Sequence, residues 1–150
     1  MSVLVIAENR KAKFDYFIIE TYEAGLVLTG SEVKSLREGS VLLKDSYVSF
    51  IKDEAFLQNA HISEYKKSSY NNHTPERLRK LLLHRQELSK IYGSVREKGL
   101  SCVPLSMYFK NGRVKVQIAL VKGKKAHDKR ESIKKRDASS ELRRSLRRDR

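Results

Sequence analysis

The stretch KGKKAHDKRESIKKR, Lys122 to Arg136, carries the densest reactive chemistry in the chain. Lys122, Lys124 and Lys125 follow one another with only Gly123 among them and no carboxylate before Asp128, a pattern that suits phosphate binding. His127, between the lysines and Asp128, can donate to a phosphate or stack on a base. So few side chains here could enter a core that packing does not explain the segment. Arg77, Arg79, Lys80 and Arg85 form a second basic group, whose plain reading is a solvated helix face paired with Glu76 or Glu87. Tyr65 and Tyr70, in the polar stretch SEYKKSSYNNHT, offer ring faces for base stacking, whereas Tyr16, Tyr47 and Tyr108 fall inside strand patterns and read as core or sheet-face residues.

Catalytic patterns are missing by comparison. His61, His73, His84 and His127 are scattered, and Cys102 is the one cysteine, which gives neither a metal-site spacing nor an intrachain disulfide. There is no G-x-S-x-G elbow and no phosphate-binding glycine loop with its lysine, so the expectation is a protein that is not an enzyme and holds no metal or cofactor. Charge points to a binding partner instead. The 150 residues include 32 Lys and Arg against 18 Asp and Glu, a net +14, which suits a polyanion and nucleic acid first. The single cysteine and an N-terminus without a secretion signal fit a cytoplasmic, soluble protein, and no apolar run approaches the roughly 20 residues that span a bilayer.

The elements that must position these groups read mainly as strands. Val3–Ala7 and Phe14–Thr21 are β-rich, with Glu8–Lys13 as a polar connection; Leu26–Leu28 is a third run after the turn-like Glu23-Ala24-Gly25. Ser31 can cap a short helix with Val33 and Leu36 on one face, ended by Gly39. SYVSFIKDEAFLQ alternates as a hairpin around Lys52-Asp53-Glu54, and Asn111-Gly112 supplies the tight turn of a second. Pro104 places the start of that hairpin's first strand at an edge or bulge. Between the hairpins, Thr74 and Pro75 open a helical stripe through Leu78, Leu81, Leu82, Leu88 and Ile91, which bends or breaks at Gly93 and closes at Gly99; in that pattern Leu82 is a core residue. About six strands and two or three helices suit a small antiparallel β-barrel, closed or partly open, with helices outside.

Composition changes after Val121. Lys122 to Arg150 holds thirteen Lys and Arg against five Asp and Glu, which is +8 of the total and leaves +6 for the rest. From Gly123 on, the apolar residues are only Ala126, Ile133, Ala138, Leu142 and Leu146, too few for a core, so residues 123–150 read as a basic tail, disordered when free, and residues 1–122 as the folded domain. Ala138, Leu142 and Leu146 recur every fourth residue and could order as a helix against a receiving surface.

The blocks NRKAKFDYFI, EAGLVLTGSEVKSLREG, DSYV, RKLLLHRQEL and VPLSMYFKNGRVKVQIALVKGKKAHDKR, in this order from Asn9 to about Arg136, resemble the successive signatures of the SmpB family, the SsrA-binding proteins that partner tmRNA in bacteria. The resemblance implies an OB-like barrel with outer helices and a role in trans-translation. It implies an adaptor that binds the tRNA-like part of alanyl-tmRNA, works with elongation factor Tu in the delivery complex, and lays its tail in the empty mRNA channel near the ribosomal decoding centre. By matching positions it implicates Glu23, Leu82 and Lys115 in the tmRNA face, with Asn9, Arg10, Lys34, Arg37 and Lys80 as neighbours; the lysine cluster Lys122, Lys124 and Lys125, read from its own charge, adds further RNA contacts. His127, Asp128, Lys129 and Arg130 match the family's tail element, and Ile133, Leu142 and Leu146 would be the tail's apolar contacts on the ribosome. Glu23 is unusual on such a face; its expected role is to accept hydrogen bonds from a base edge or 2′-hydroxyl, or to orient a neighbouring Lys or Arg. After Arg136 the resemblance gives no residue-by-residue match, and a long basic N-terminal extension found in many members has no counterpart before the first strand.

Two other readings fit the charge alone: a generic single-strand-binding barrel, for which any RNA or DNA would compete equally, and an RNA-processing enzyme, which would show turnover. A membrane is not expected as a partner, since the tail has no Trp or Phe and little apolar area to insert, and the family resemblance implies RNA and not DNA.

Overall fold

The computed structural model describes residues 3–66 and 72–124. Nine strands and three helices are present among them: β1 (Val3–Glu8), α1 (Arg10–Asp15), β2 (Tyr16–Leu26), α2 (Gly30–Arg37), β3 (Val41–Leu42), β4 (Tyr47–Ile51), β5 (Glu54–Gln58), β6 (His61–Ile62), β7 (Arg79–Leu82), α3 (Arg85–Lys98), β8 (Ser101–Lys110) and β9 (Arg113–Gly123). Seven strands form one antiparallel sheet in the order β1-β8-β9-β2-β7-β5-β4, and β3 pairs with β6. The end strands β1 and β4 do not pair with each other, so the expected barrel is corrected to an open sheet of more strands than the six counted.

Turn chemistry explains the two hairpins. Asn111 and Gly112 both have positive φ (52° and 77°), as do Lys52 and Asp53 (49° and 63°), the combination that matches the twist of two-residue hairpins. They set the registers Lys110↔Arg113 and Ile51↔Glu54. Alternation then buries one face: Leu57, Met107, Val116 and Ile118 are 0% exposed and join Leu36, Ile62, Leu81 and Ile91 in the main core. Each such side chain stabilises the fold by about 1.5–3 kcal/mol. A second cluster, Ala12, Val103, Leu105, Ala119 and Val121, lies under α1. The ladder of β8 shifts register between Pro104 and Ser106, the bulge that the proline called for.

Several expected elements are replaced. Glu8–Lys13 is not a polar connection: Asn9 caps α1, its Oδ1 accepting from the Ala12 N–H at 3.2 Å. Glu23-Ala24-Gly25 is not a turn but part of an unbroken β2, paired with Gln117, Val116 and Lys115 of β9. The helix expected from Thr74 begins only at Arg85, because Arg79–Leu82 adds a strand between β2 and β5. Leu82 therefore points away from the core and is 53% exposed. α3 runs through Gly93 without interruption and ends at Gly99 in the left-handed conformation. α2 starts two residues earlier than expected, with Thr29 and not Ser31 as cap: Thr29 Oγ1 accepts from the Glu32 N–H and the Glu32 carboxylate from the Thr29 N–H.

The same Glu32 pins α2 to the sheet. It is 0% exposed, accepts from Arg77 at 2.6 Å, and forms an ion pair with Arg79, which is equally buried and donates also to the carbonyls of Ala60 (2.7 Å) and Pro75 (2.9 Å). Arg79 is thus a core residue and not part of a solvated helix face. Burial alone would raise the Glu32 carboxyl, but hydrogen bonds from Arg77, the Thr29 amide and Arg79 outweigh it and hold it below the ordinary carboxylate range. His73 locks the neighbouring turn: its Nε2 donates to the Ile62 carbonyl at 2.8 Å, and Ser31 Oγ lies 2.8 Å from its Nδ1.

Candidate nucleic-acid interface

The outward face of the sheet is built by register. Cross-strand partners share a face, so the pairs Leu82↔Gly25, Gly25↔Lys115 and Lys115↔Tyr108 set one transverse row over β7, β2, β9 and β8, and Tyr108↔Val5 extends it to β1. Five strands at ~4.8 Å spacing make this row about 19 Å across. The next row is Glu23, Gln117, Ser106 and Glu8. Glu23, Leu82 and Lys115 are separated by more than thirty residues in sequence, yet they converge here.

Gly25 makes the convergence possible. A β-carbon at this position would lie 3.2 Å from Leu82 Cβ, so the bare backbone lets the Leu82 side chain lie across β2. Beside it an open groove of about 280 Å³ is lined by Gly25, Leu82, Val33, Gly112, Arg113 and Lys115, among others. Its lining combines apolar side chains with the cations of Arg113 and Lys115, a composition that suits a ribose or base edge beside a phosphate.

Glu23 is already engaged. Its carboxylate accepts from the Tyr108 hydroxyl at 2.5 Å and from Lys110 Nζ at 3.3 Å. The Tyr108 hydrogen bond, then Lys110 and the nearby Lys115 charge, hold its carboxyl below the ordinary range, so it is ionised at neutral pH. The phenol responds in the opposite sense: burial and the Glu23 carboxylate push Tyr108 upward, so it remains a donor. Glu23 thus orients a lysine, one of the two roles expected for it, and it fixes a tyrosine as well. Tyr108 and Lys110 were missed as site residues; the signal available was their period-two spacing on the strand that faces Lys115.

The remaining expected contacts spread around this face. Lys80 is two residues before Leu82 on β7 and shares its side of the sheet, where it pairs with Glu54 at 3.3 Å. Lys34 and Arg37 are exposed on α2, with Lys34 Nζ 5.6 Å from the Tyr65 ring centre. Arg10 is exposed at the start of α1. Asn9 is different: it is 4% exposed, and its Nδ2 donates to the carbonyls of Pro104 (2.9 Å) and Leu43 (3.3 Å). Its amide is used up within the fold, so it is a positioning residue and not an exposed RNA ligand. It lines a separate groove of about 390 Å³ between α1 and the starts of β4 and β8, spanned at its rim by a Lys11–Asp45 pair at 2.8 Å. Lys122 and Lys124 lie at the far end of β9 from Lys115. Lys125, His127, Asp128, Lys129, Arg130, Ile133, Leu142, Leu146 and Tyr70 lie outside the described residues.

Among the described residues no group of three His, Cys, Asp or Glu is placed to hold a metal, and no helix is long and apolar enough to cross a membrane. Cys102 is buried, and desolvation pushes its thiol up to about 12, which makes it unreactive.

An open antiparallel sheet whose outer face sets Lys115 among Leu82, Tyr108 and Val5, with Lys110 and Lys80 near by, has the form of a sheet-surface RNA-binding module. The SmpB protein family model matches residues 6–148, and the chain belongs to that family. Relatives include the SsrA-binding protein of Bdellovibrio bacteriovorus, 70% identical over 99% of this chain and 98% of its own length. The SsrA-binding protein of Syntrophobacter fumaroxidans is 56% identical over 92% of this chain and 86% of its own. A solved chain from "tmRNA-SmpB: a journey to the center of the bacterial ribosome" is similar in fold, with a TM-score of 0.69 and 49% identity, covering 85% of this chain and 93% of that one.

Proposed function

We propose that this chain is a tmRNA-binding adaptor of trans-translation. The row through Leu82, Gly25, Lys115 and Tyr108 receives the tRNA-like part of alanyl-tmRNA, with Glu23 holding Tyr108 and Lys110 in place and Lys34, Arg37 and Lys80 contributing phosphate contacts. The adaptor carries that RNA to stalled ribosomes in a complex with elongation factor Tu. Residues 123–150 then enter the empty mRNA channel, His127 to Arg130 near the decoding centre and Ile133, Leu142 and Leu146 on a helical continuation. The protein performs no bond chemistry itself; its task is to position an RNA. The observation that supports this reading most is the meeting of Glu23, Leu82 and Lys115, all implicated by family resemblance, on one outward face.

Tagging of stalled nascent chains in a reconstituted translation system tests the proposal. A chain ending at Arg130 is expected to bind tmRNA with only a modest loss yet to support little tagging, and Leu142→Ser with Leu146→Ser, which leaves charge unchanged, is expected to lose part of it. Full-rate tagging by the truncated chain would contradict the tail's role.

A further inference from the structure

At the end of the β2–β9 ribbon away from Lys115, the sheet carries an aromatic ring with one lysine over it and a second as its cross-strand partner. Phe17 is 44% exposed and pairs across the ladder with Lys122, which puts both side chains on one face. Two residues on, Lys124 returns to that face with its Nζ 5.2 Å from the centre of the Phe17 ring, and its backbone N–H is held by the Asp15 carbonyl at 2.9 Å. Ile19, two residues further along β2, is exposed as well, at 55%. Such surface is costly in water unless something covers it. The two lysines and the net +14 of the chain select an anionic cover, and a ring flanked by ammonium groups suits a nucleobase with its phosphates.

We propose that Phe17 is a stacking platform for an unpaired base of ribosomal RNA, with Lys122 and Lys124 taking the flanking phosphates. Phe17 is six residues from Glu23 along β2, so about 20 Å separates the patch from the proposed tmRNA face. From Lys124 the chain passes directly into the basic segment that the trans-translation reading routes along the ribosome, and the choice of ribosomal RNA rests on that reading. When a base arrives, it takes the ring face now under Lys124, and the ammonium moves to a phosphate oxygen.

The chain contains no tryptophan, so Phe17→Trp in the full chain installs a single reporter. Its emission should be quenched by ribosomes free of tmRNA, with binding followed separately by pelleting, and unchanged by the isolated tRNA-like part of tmRNA. Phe17→Leu should weaken ribosome binding about tenfold (~1.4 kcal/mol) and leave tmRNA affinity intact, and Phe17→Tyr should restore it to within about twofold. Quenching by the tRNA-like part alone, unquenched emission in ribosome pellets, or native affinity of the Phe17→Leu chain would each overturn the proposal. So would a reporter already shielded from iodide in the free chain, which would mean that the chain's own tail covers it. Failure of the native chain to bind the tRNA-like part would instead strike the tmRNA reading, while the ribosome arm continued to report on Phe17.

Discussion

At the scale of single residues, the oddest member of the RNA face is a carboxylate among lysines. Its geometry accounts for it: Glu23 accepts from Tyr108 and Lys110 and so holds a phenol and an ammonium at fixed places on the sheet. Two outcomes follow. Glu23→Gln keeps a carbonyl acceptor for Tyr108 and should retain more tmRNA affinity than Glu23→Ala, measured by filter binding; if both substitutions tightened binding, simple relief of phosphate repulsion would be the better account. Tyr108→Phe removes the main cause of the lowered carboxyl, so the Glu23 titration followed by carboxylate NMR should move up towards 4.5 and RNA affinity should fall severalfold. Leu82 is the second test. With half its surface exposed, Leu82→Ala should cost less than about 1 kcal/mol of stability by denaturant titration, against the 2–5 kcal/mol of a core leucine, while tmRNA affinity drops.

Among the elements, β7 and α2 decide where the site is. The leucine run Leu81-Leu82-Leu83 satisfies a helical and a strand period equally, so spacing alone could not separate them; a short strand won because it fills the gap between β2 and β5 and buries Leu81 and Arg79. Gly25 misled in the same way. It reads as a turn, but its use is to admit Leu82 at close range. By contrast the Asn111-Gly112 hairpin, the Pro104 bulge and the stop at Gly99 were legible, since each depends on the conformational limits of one or two residues. The Glu32–Arg79 pair was not legible, because its partners are 47 residues apart and nothing local marks them. It also makes a pH prediction. The folded carboxyl of Glu32 lies below its unfolded value near 4.5, so its stabilisation is complete above that pH and is lost as pH falls through the folded value. Glu32→Gln should lower stability at pH 7 by about 3 kcal/mol, as expected for a broken buried pair, and should flatten the acid limb of a plot of Tm against pH. An unchanged acid limb would show that other carboxylates govern it.

For the whole molecule, composition alone marked a change after Val121, and the charge of +14 pointed to a polyanionic partner. What charge could not do is choose among RNAs. That choice rests on the placement of Glu23, Leu82 and Lys115 on one face, and it is open to a direct measurement: filter binding of the full chain to the tRNA-like part of tmRNA over a salt series, in competition with an unrelated RNA of equal length. The expected result is preference for the tRNA-like part at every salt concentration, with Lys115→Ala weakening it and flattening the slope of log K against log salt by roughly 0.7–0.9. Equal competition by the unrelated RNA, or native affinity and slope for Lys115→Ala, would contradict the assignment of this face.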